Sequence, residues 1–403
     1  MNKINIQEHL FKFGLLLAFL KSLNAWFTWP IEIIPFFSLT ILLCLPYVIT
    51  SFSAFSFAKK NVIPILLLIT ARIYCAGGKE ANLNTYFGAF LTVSPAIFAL
   101  LLINKKKIEL SIFFIKSFAI ILAPSLIIWI LLLLKIPLPS FGIISHPAWD
   151  AYVYENYIFC LKNIRIYDIR FCSIFLEPGH VGMISSFLLF VSKFNFKKKS
   201  VWILLISIFF TLSLAAYVLA FISFSAYMAL YSKARVTYFV TWFVIFACIY
   251  TFFVNYNSGN NIVNELIISR LAYDSSEGDL AGNNRFSQEM DDFFESFTRG
   301  SDFFSGIGEK RYTSKNLGNN AGFKVFLVTN GLIGTSLVLL FYLSVVYFNK
   351  NKLALALLVI YVFAFLQRAY PFWACELLIF ATAIPYHYLP SKTYTPSWKL
   401  RRA

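Results

Sequence analysis

An acid and an imidazole stand one helical turn apart where a long polar segment gives way to an apolar one. They are Glu177 and His180, in the run Phe175-Leu-Glu-Pro-Gly-His180. Either group could act as a general base near neutral pH if its pKa were tuned. Pro178 suits the first position of a helix, whose free N–H groups could bind phosphate beside them. A non-catalytic alternative stays open, because acids are favoured in a first helical turn and an interfacial histidine can simply be solvated.

Arginines and one further acid are the second group of candidates. Arg170 precedes Glu177 by seven residues and could add a bidentate phosphate contact. Arg72, Arg368 and Glu376 lie in or near apolar stretches, where a charge is costly and therefore a functional candidate. For the two arginines, extension of the side chain to the membrane surface is the alternative explanation.

The sequence predicts neither a catalytic metal nor any other cofactor. It contains no C-x-x-C and no H-E-x-x-H spacing, and its six cysteines are scattered. Cys160 and Cys172 share one polar segment, and a disulfide between them could form if that segment faces an oxidising compartment.

Roughly a dozen apolar stretches must position these residues. The chain of 403 residues is 59% hydrophobic and 13% charged. A membrane span needs about 20 apolar residues, and it must be helical because lipid cannot pair backbone polar groups. We predict an all-α fold: a polytopic integral membrane protein with about 12 transmembrane helices and two large periplasmic loops. The predicted spans are 10–28, 32–52, 61–77, 83–103, 110–134, 179–192, 200–214, 216–232, 237–255, 323–347, 353–369 and 372–389.

The spans divide the chain into five parts. They are the N-terminal helices 1–5 (1–136), the first large loop (137–178), helices 6–9 (179–255), the second large loop (256–322), and helices 10–12 with a basic cytoplasmic tail (323–403). Within the second loop, phenylalanines at helical spacing predict a short amphipathic helix over Ser287–Phe297.

Basic clusters set the predicted orientation. The chain has 35 Lys and Arg against 19 Asp and Glu, a net charge of +16. Clusters such as 105–107 and 197–199 fall between alternate spans, and short Lys/Arg-rich loops stay in the cytoplasm. Both termini are therefore predicted to be cytoplasmic, provided that 200–232 forms two helices with a turn within Thr211–Ala216. Since topology explains the charge, we predict no nucleic-acid partner.

Five tracts of the chain carry a resemblance to a known family. They are Arg170 with Phe175–His180, Thr211–Tyr217, Phe304–Gly308, Asn319–Gly322 and Asn330–Gly334. Together they resemble O-antigen polymerases of the O-antigen ligase and polymerase superfamily. The resemblance covers about residues 170–335 and the twelve-span layout. The family's regular Arg-to-Gly spacing is not met at Arg170, because Val181 stands eleven residues further on.

The resemblance implies an inverting, metal-independent glycosyl transfer on the periplasmic face of the bacterial inner membrane. The growing chain on undecaprenyl diphosphate would be the donor, and an undecaprenyl-diphosphate-linked oligosaccharide repeat unit the acceptor; a flippase and a chain-length regulator are the expected protein partners. Glu177 would orient or deprotonate the acceptor hydroxyl, with His180 as the second candidate. The candidate contacts to pyrophosphate or glycan, led by the first two, are Arg170, Arg285, Arg270, Arg299, Arg72, Arg368, Gly306, Gly308 and Asn320.

Three alternatives stay open. In ligases of the superfamily a histidine is expected near the end of the second loop, where this chain has Asn319-Asn320. A twelve-helix transporter or flippase fits the number of spans, but the mid-chain inner loop 193–199 is short and the two halves are not similar. Other lipid-linked-sugar glycosyltransferases carry an acidic site in their first outer loop, which here is only 29–32.

Overall fold

Helices dominate the fold. The computed structural model describes residues 3–77, 81–165, 169–231, 235–269, 273–274, 279–280, 286–317, 322–350 and 352–386. Each predicted span corresponds to a helix. In chain order the helices are α1 (Lys3–Ser22), α2 (Ile33–Thr50), α3 (Lys59–Ala76), α4 (Leu83–Leu101), α5 (Asn104–Leu133), α6 (Pro178–Val191), α7 (Lys199–Phe210), α8 (Leu214–Tyr231), α9 (Arg235–Asn255), α10 (Gln288–Arg299), α11 (Asp302–Ser305), α12 (Glu309–Ser314), α13 (Phe323–Asn349), α14 (Lys352–Gln367) and α15 (Ala374–Tyr386).

Five helices of the described residues are long and apolar enough to cross a membrane: α2, α4, α5, α8 and α13. Helices α6, α7, α14 and α15 are apolar but shorter. Large apolar side chains on outward faces are exposed, among them Leu42 at 63% and Ile120 at 69%. Such faces suit hydrocarbon and not water. The chain is therefore a predominantly helical membrane protein.

Helix α6 lies at the centre of the bundle. Every one of its 14 residues is buried. A Cβ on Gly182 would lie only 2.2 Å from the Cβ of Ala216 in α8, so these two helices pack almost backbone to backbone. Small residues permit this close packing in membrane proteins. The position of α6 means that its N-terminus, with Glu177, emerges in the middle of one end of the bundle.

The predicted turn between two helices in 200–232 is confirmed. Helix α7 ends at Phe210 and α8 begins at Leu214. Leu212 adopts a positive φ of 44°, which reverses the chain direction. The Thr211 hydroxyl donates to the Ile208 carbonyl oxygen at 2.7 Å and satisfies part of the end of α7.

The first helix ends earlier than residue 28, where the predicted span ended. Helix α1 stops at Ser22, and Asn24 has a φ of 54°. The Lys21 ammonium donates to the carbonyl oxygens of Thr28 (2.6 Å) and Ile31 (2.7 Å). Lys21 thereby holds the following segment over the end of α1, and apolarity alone did not predict that reversal.

The first polar loop contains a small antiparallel sheet, which was not predicted from the sequence within the predominantly helical fold. Its strands, in the spatial order β1-β2-β3, are β1 (Ile143–His146), β2 (Trp149–Asn156) and β3 (Leu161–Asn163). Tyr152 and Tyr154 are two residues apart in β2 and so face the same side. Tyr154 is fully buried beside Cys172. Both cysteines of this loop, Cys160 and Cys172, are buried free thiols.

The amphipathic helix predicted in the second loop is confirmed as α10. The Ser287 hydroxyl caps it by accepting from the Met290 N–H at 3.2 Å. Met290 and Phe297 are buried against Ile307 and Val328, so the apolar face of α10 covers the start of α13. Two short strands of this loop, β4 (Tyr273–Asp274) and β5 (Asp279–Leu280), pair with each other.

Candidate functional site

A buried ion pair marks the start of the central helix. Glu177 precedes Pro178, the first residue of α6, with an extended backbone (φ −136°, ψ 145°). One carboxylate oxygen, Oε2, lies 2.5 Å from Nη2 of Arg368, just after α14. The other, Oε1, accepts from the Tyr152 hydroxyl at 2.7 Å. The side chains of Glu177 and Arg368 are only 13% and 14% exposed. Three separate parts of the chain, at residues 152, 177 and 368, thus meet at one buried carboxylate.

Gly179 makes the ion pair sterically possible. A Cβ at this position would lie 2.7 Å from Nη2 and 3.1 Å from Cζ of Arg368. The guanidinium therefore lies directly over the first turn of α6. A small cavity opens beside it between α6, α8 and α14, with Met183, Leu219 and Arg368 among its lining residues.

The ion pair keeps Glu177 ionised. Burial acts to raise the pKa of this carboxyl, but the Arg368 charge and the hydrogen bonds from Tyr152 and Arg368 outweigh burial and lower the pKa to about 2. A base with so low a pKa holds a proton poorly at neutral pH. Of the two roles predicted for Glu177, this geometry favours orienting a substrate over deprotonating it.

His180 lies one turn further into α6 and is 2% exposed. Its Nε2 lies 3.9 Å from Oε2 of Glu177, beyond hydrogen-bond distance. The Trp373 ring meets the imidazole edge to face, with ring centroids 4.7 Å apart. The Tyr370 ring stacks on Trp373, with centroids 4.1 Å apart. Within the described part of the chain, neither ring nitrogen makes a hydrogen bond of good geometry, although the Leu23 backbone lies close to the imidazole. A buried imidazole without a well-formed hydrogen bond is a group that a ligand or water could engage.

Arg72 joins this site through the loop at 368–373. Its Cζ lies 5.1 Å from the centre of the Phe372 ring, and its Nε donates to the Thr92 hydroxyl at 3.2 Å. Phe372 belongs to the same loop as Arg368. This loop therefore connects both arginines that the sequence placed at helix ends with the acid and the histidine at the start of α6.

Arg170 lies against the turn between α7 and α8. Its Nε donates to the Thr211 carbonyl oxygen at 3.1 Å, and the next residue, Phe171, donates from its N–H to the Phe210 carbonyl oxygen at 2.9 Å. The first polar loop is thus fastened to the tract Thr211–Tyr217. Two of the tracts on which the family resemblance rests are in direct contact.

Arg299, a described arginine candidate from the second loop, lies apart from the cluster. It forms an ion pair with Glu295 at 2.5 Å on the outer face of α10, and its side chain is 77% exposed. Arg270, Arg285 and Asn320 lie outside the described residues. The structure therefore brings together Glu177, His180 and Arg368, and it places Arg72 against Phe372 of the adjoining loop.

Gly306 approaches the backbone of α13 closely, whereas a Cβ on Gly308 would have no neighbour within 4 Å. The N–H of Gly308 donates to the Thr329 carbonyl oxygen at 3.0 Å, and that of Ile307 to the Val328 carbonyl oxygen at 2.9 Å. A Cβ on Gly306 would lie 2.4 Å from the Thr329 carbonyl oxygen. Helix α13 is kinked at Gly331, where φ is 68°. These glycines fasten the second loop to α13.

Three residues of the site escaped sequence reasoning: Tyr152, Gly179 and Trp373. The alternation of aromatic residues in β2 could have indicated a strand, but no sequence signal pairs Tyr152 with Glu177. Among the described residues, no group of three or more His, Cys, Asp or Glu side chains could hold a metal ion. No family model, curated protein or solved structure matches the chain.

Proposed function

We propose that this chain is a membrane-embedded glycosyltransferase of the O-antigen polymerase type. It would join lipid-diphosphate-linked oligosaccharide repeat units into O-antigen or a similar surface polysaccharide. The observation that carries the proposal is the buried Glu177–Arg368 pair at the start of the central helix, with His180 beside it and Arg72 in contact with Phe372 of the adjoining loop. A site of this charge and enclosure, at the end of the bundle that carries two long polar loops, suits transfer from a lipid diphosphate.

In this reaction the acceptor hydroxyl oxygen forms a bond to the anomeric carbon of the donor. The bond from that carbon to the diphosphate oxygen breaks, and the diphosphate leaves with the electron pair. Arg368 and Arg72 would stabilise the negative charge that develops on the leaving group. Glu177 would hold Arg368 in place and orient the acceptor, and His180 would accept the proton of the attacking hydroxyl.

The proposal also assigns an orientation in the bacterial inner membrane. Twelve helices, α1–α9 and α13–α15, would span it, with both termini in the cytoplasm and both long loops in the periplasm. It is supported by the correspondence between predicted spans and helices and by the basic residues at one end of them, such as Lys105–Lys107. The flippase and the chain-length regulator would act as protein partners.

The deciding experiment is a gel of lipopolysaccharide from a strain lacking this chain. Loss of the ladder with a single repeat unit left on the core supports the polymerase. Core without any repeat unit would indicate the ligase or the flippase instead. An unchanged ladder would exclude O-antigen as the product.

A further inference from the structure

Four aromatic side chains form a continuous surface next to the buried ion pair. Three of them lie on the first polar loop, and Trp29 lies between α1 and α2. The His146 ring stacks on Trp149 with centroids 4.4 Å apart and planes at 20°. Trp29 meets His146 edge to face at 5.0 Å, and Tyr152 lies 5.9 Å from Trp149. We call Trp29, His146, Trp149 and Tyr152 the aromatic patch.

The β1–β2 hairpin positions three residues of the patch and fixes the tautomer of its histidine. His146 and Trp149 are paired residues across the hairpin turn. The N–H of Ala148 donates to Nδ1 of His146 at 3.1 Å, so in the neutral ring the proton lies on Nε2. Burial, and then the charge of Lys21, lower the pKa of His146, which favours this neutral form. The patch therefore offers aromatic faces and an N–H donor.

The open side of the patch has the chemistry of a sugar-binding surface. Trp149 is 48% exposed although His146 covers one face of its indole. The π-face of an aromatic ring carries negative potential, and the C–H bonds on one face of a pyranose ring are weakly positive and pack on it. A neighbouring N–H donor can bind a sugar hydroxyl and fix the ring's orientation.

We propose that the aromatic patch binds a sugar ring of the lipid-linked oligosaccharide and leads the glycan to Glu177, an inference that rests on the proposed function. Tyr152 provides the continuity: its ring adjoins Trp149, and its hydroxyl donates to Glu177 at 2.7 Å. Aromatic residues also anchor proteins at the membrane surface. Anchoring does not account for a histidine that contacts two tryptophans in a fixed tautomer, nor for the connection to the buried carboxylate.

The test measures, by calorimetry, the binding of the free repeat-unit oligosaccharide to the full-length protein in lipid nanodiscs. W149A is expected to weaken binding about tenfold, the equivalent of one aromatic stacking contact. W149F keeps an aromatic face and should bind nearly as the wild type does. F141A is the matched control, because Phe141 is a 66% exposed aromatic residue of the same loop outside the patch. Melting temperatures verify that each variant is folded.

Three results would overturn the inference. The first is wild-type affinity in both W149A and H146A, and the second is no oligosaccharide binding by the wild-type protein. The third is quenching of the Trp149 fluorescence by brominated lipids, where the Trp149 signal is the part of the fluorescence that is missing in W149F. The last result would make the patch a membrane anchor. The lipopolysaccharide ladder tests the polymerase separately. If the ladder is lost without this chain but W149A binds the oligosaccharide with wild-type affinity, the proposed function stands and only the role of the aromatic patch is rejected.

Discussion

A single carboxylate connects three elements, and this makes it the residue whose change should matter most. Removing one partner of a buried ion pair leaves the other charge uncompensated and costs about 3–5 kcal/mol. We expect E177Q, which keeps the shape and one acceptor, to lose the polymer ladder and to lower the melting temperature because Arg368 loses its counter-charge. The measurements are a complementation gel and a melting curve in detergent.

The control for E177Q is E295Q. Glu295 also pairs with an arginine at 2.5 Å, but its side chain is 67% exposed. Exposed pairs contribute about 0–1 kcal/mol, so E295Q should retain both the ladder and the melting temperature. Equal effects of the two substitutions would contradict a special role for the buried pair.

The lowered pKa of Glu177 predicts how the stability of this pair depends on pH. The folded pKa is about 2 and the ordinary value is 4.5, so the stabilisation is complete above the ordinary value and is lost as pH falls towards 2. The difference in melting temperature between wild type and E177Q should therefore stay constant from about pH 5.5 to 8. A difference that shrinks within this interval would show that the carboxyl titrates there.

Gly179 offers a test of the same pair without changing a charge. In G179A the new methyl group would lie 2.7 Å from Nη2 of Arg368 and displace the guanidinium, so we expect loss of the ladder in a folded protein. Gly88 in α4 is the matched control, since a Cβ there has its nearest neighbour at 3.5 Å. G88A should support a normal ladder. A normal ladder in G179A would show that activity does not depend on the position of the Arg368 guanidinium over Gly179.

At the scale of elements, the attachment of the second loop to α13 depends on two glycines that differ only in their surroundings. Gly306 (φ 78°, ψ 166°) and Gly308 (φ 79°, ψ 156°) share a conformation that other residues rarely adopt. That strain alone costs about 1–3 kcal/mol. A Cβ on Gly306 would also meet the α13 backbone at 2.4 Å, whereas none lies within 4 Å of Gly308. Melting curves should therefore show a clearly larger loss for G306A than for G308A.

The elements show how far the sequence could predict the fold. Long apolar runs predicted every helix of the bundle, because lipid demands both apolar side chains and internal hydrogen bonds. The spacing of phenylalanines predicted α10. The sheet was missed since its strands are short and most of its contacts are local to a loop. The candidate acid and arginines were predicted one by one, but the pairing of Glu177 with Arg368 depends on tertiary packing that no local pattern encodes.

At the scale of the whole molecule, both polar loops meet one end of the bundle. Tyr152 of the first loop contacts Glu177, and Tyr74 near the end of α3 donates to the Ser305 carbonyl oxygen of the second loop at 3.5 Å. The buried helix α6 emerges at this same end. The site would thus have the buried helix α6 on one side and the two polar loops on the other.

The order of the helices gives the expected side of each segment. Because α7 and α8 are separate helices, a reporter fused after Arg235 should lie on the same side as one fused at Lys198. Because α9 follows, a reporter fused after Phe286 should lie on the opposite side. We expect a green fluorescent protein fused after Arg235 to fluoresce in the cytoplasm, and an alkaline phosphatase fused after Phe286 to be active outside. Fusions at Lys198 give the matched cytoplasmic reference. A periplasmic reporter after Arg235 would mean that 200–232 crosses the membrane once, and it would remove the common outer face on which the proposed transfer depends.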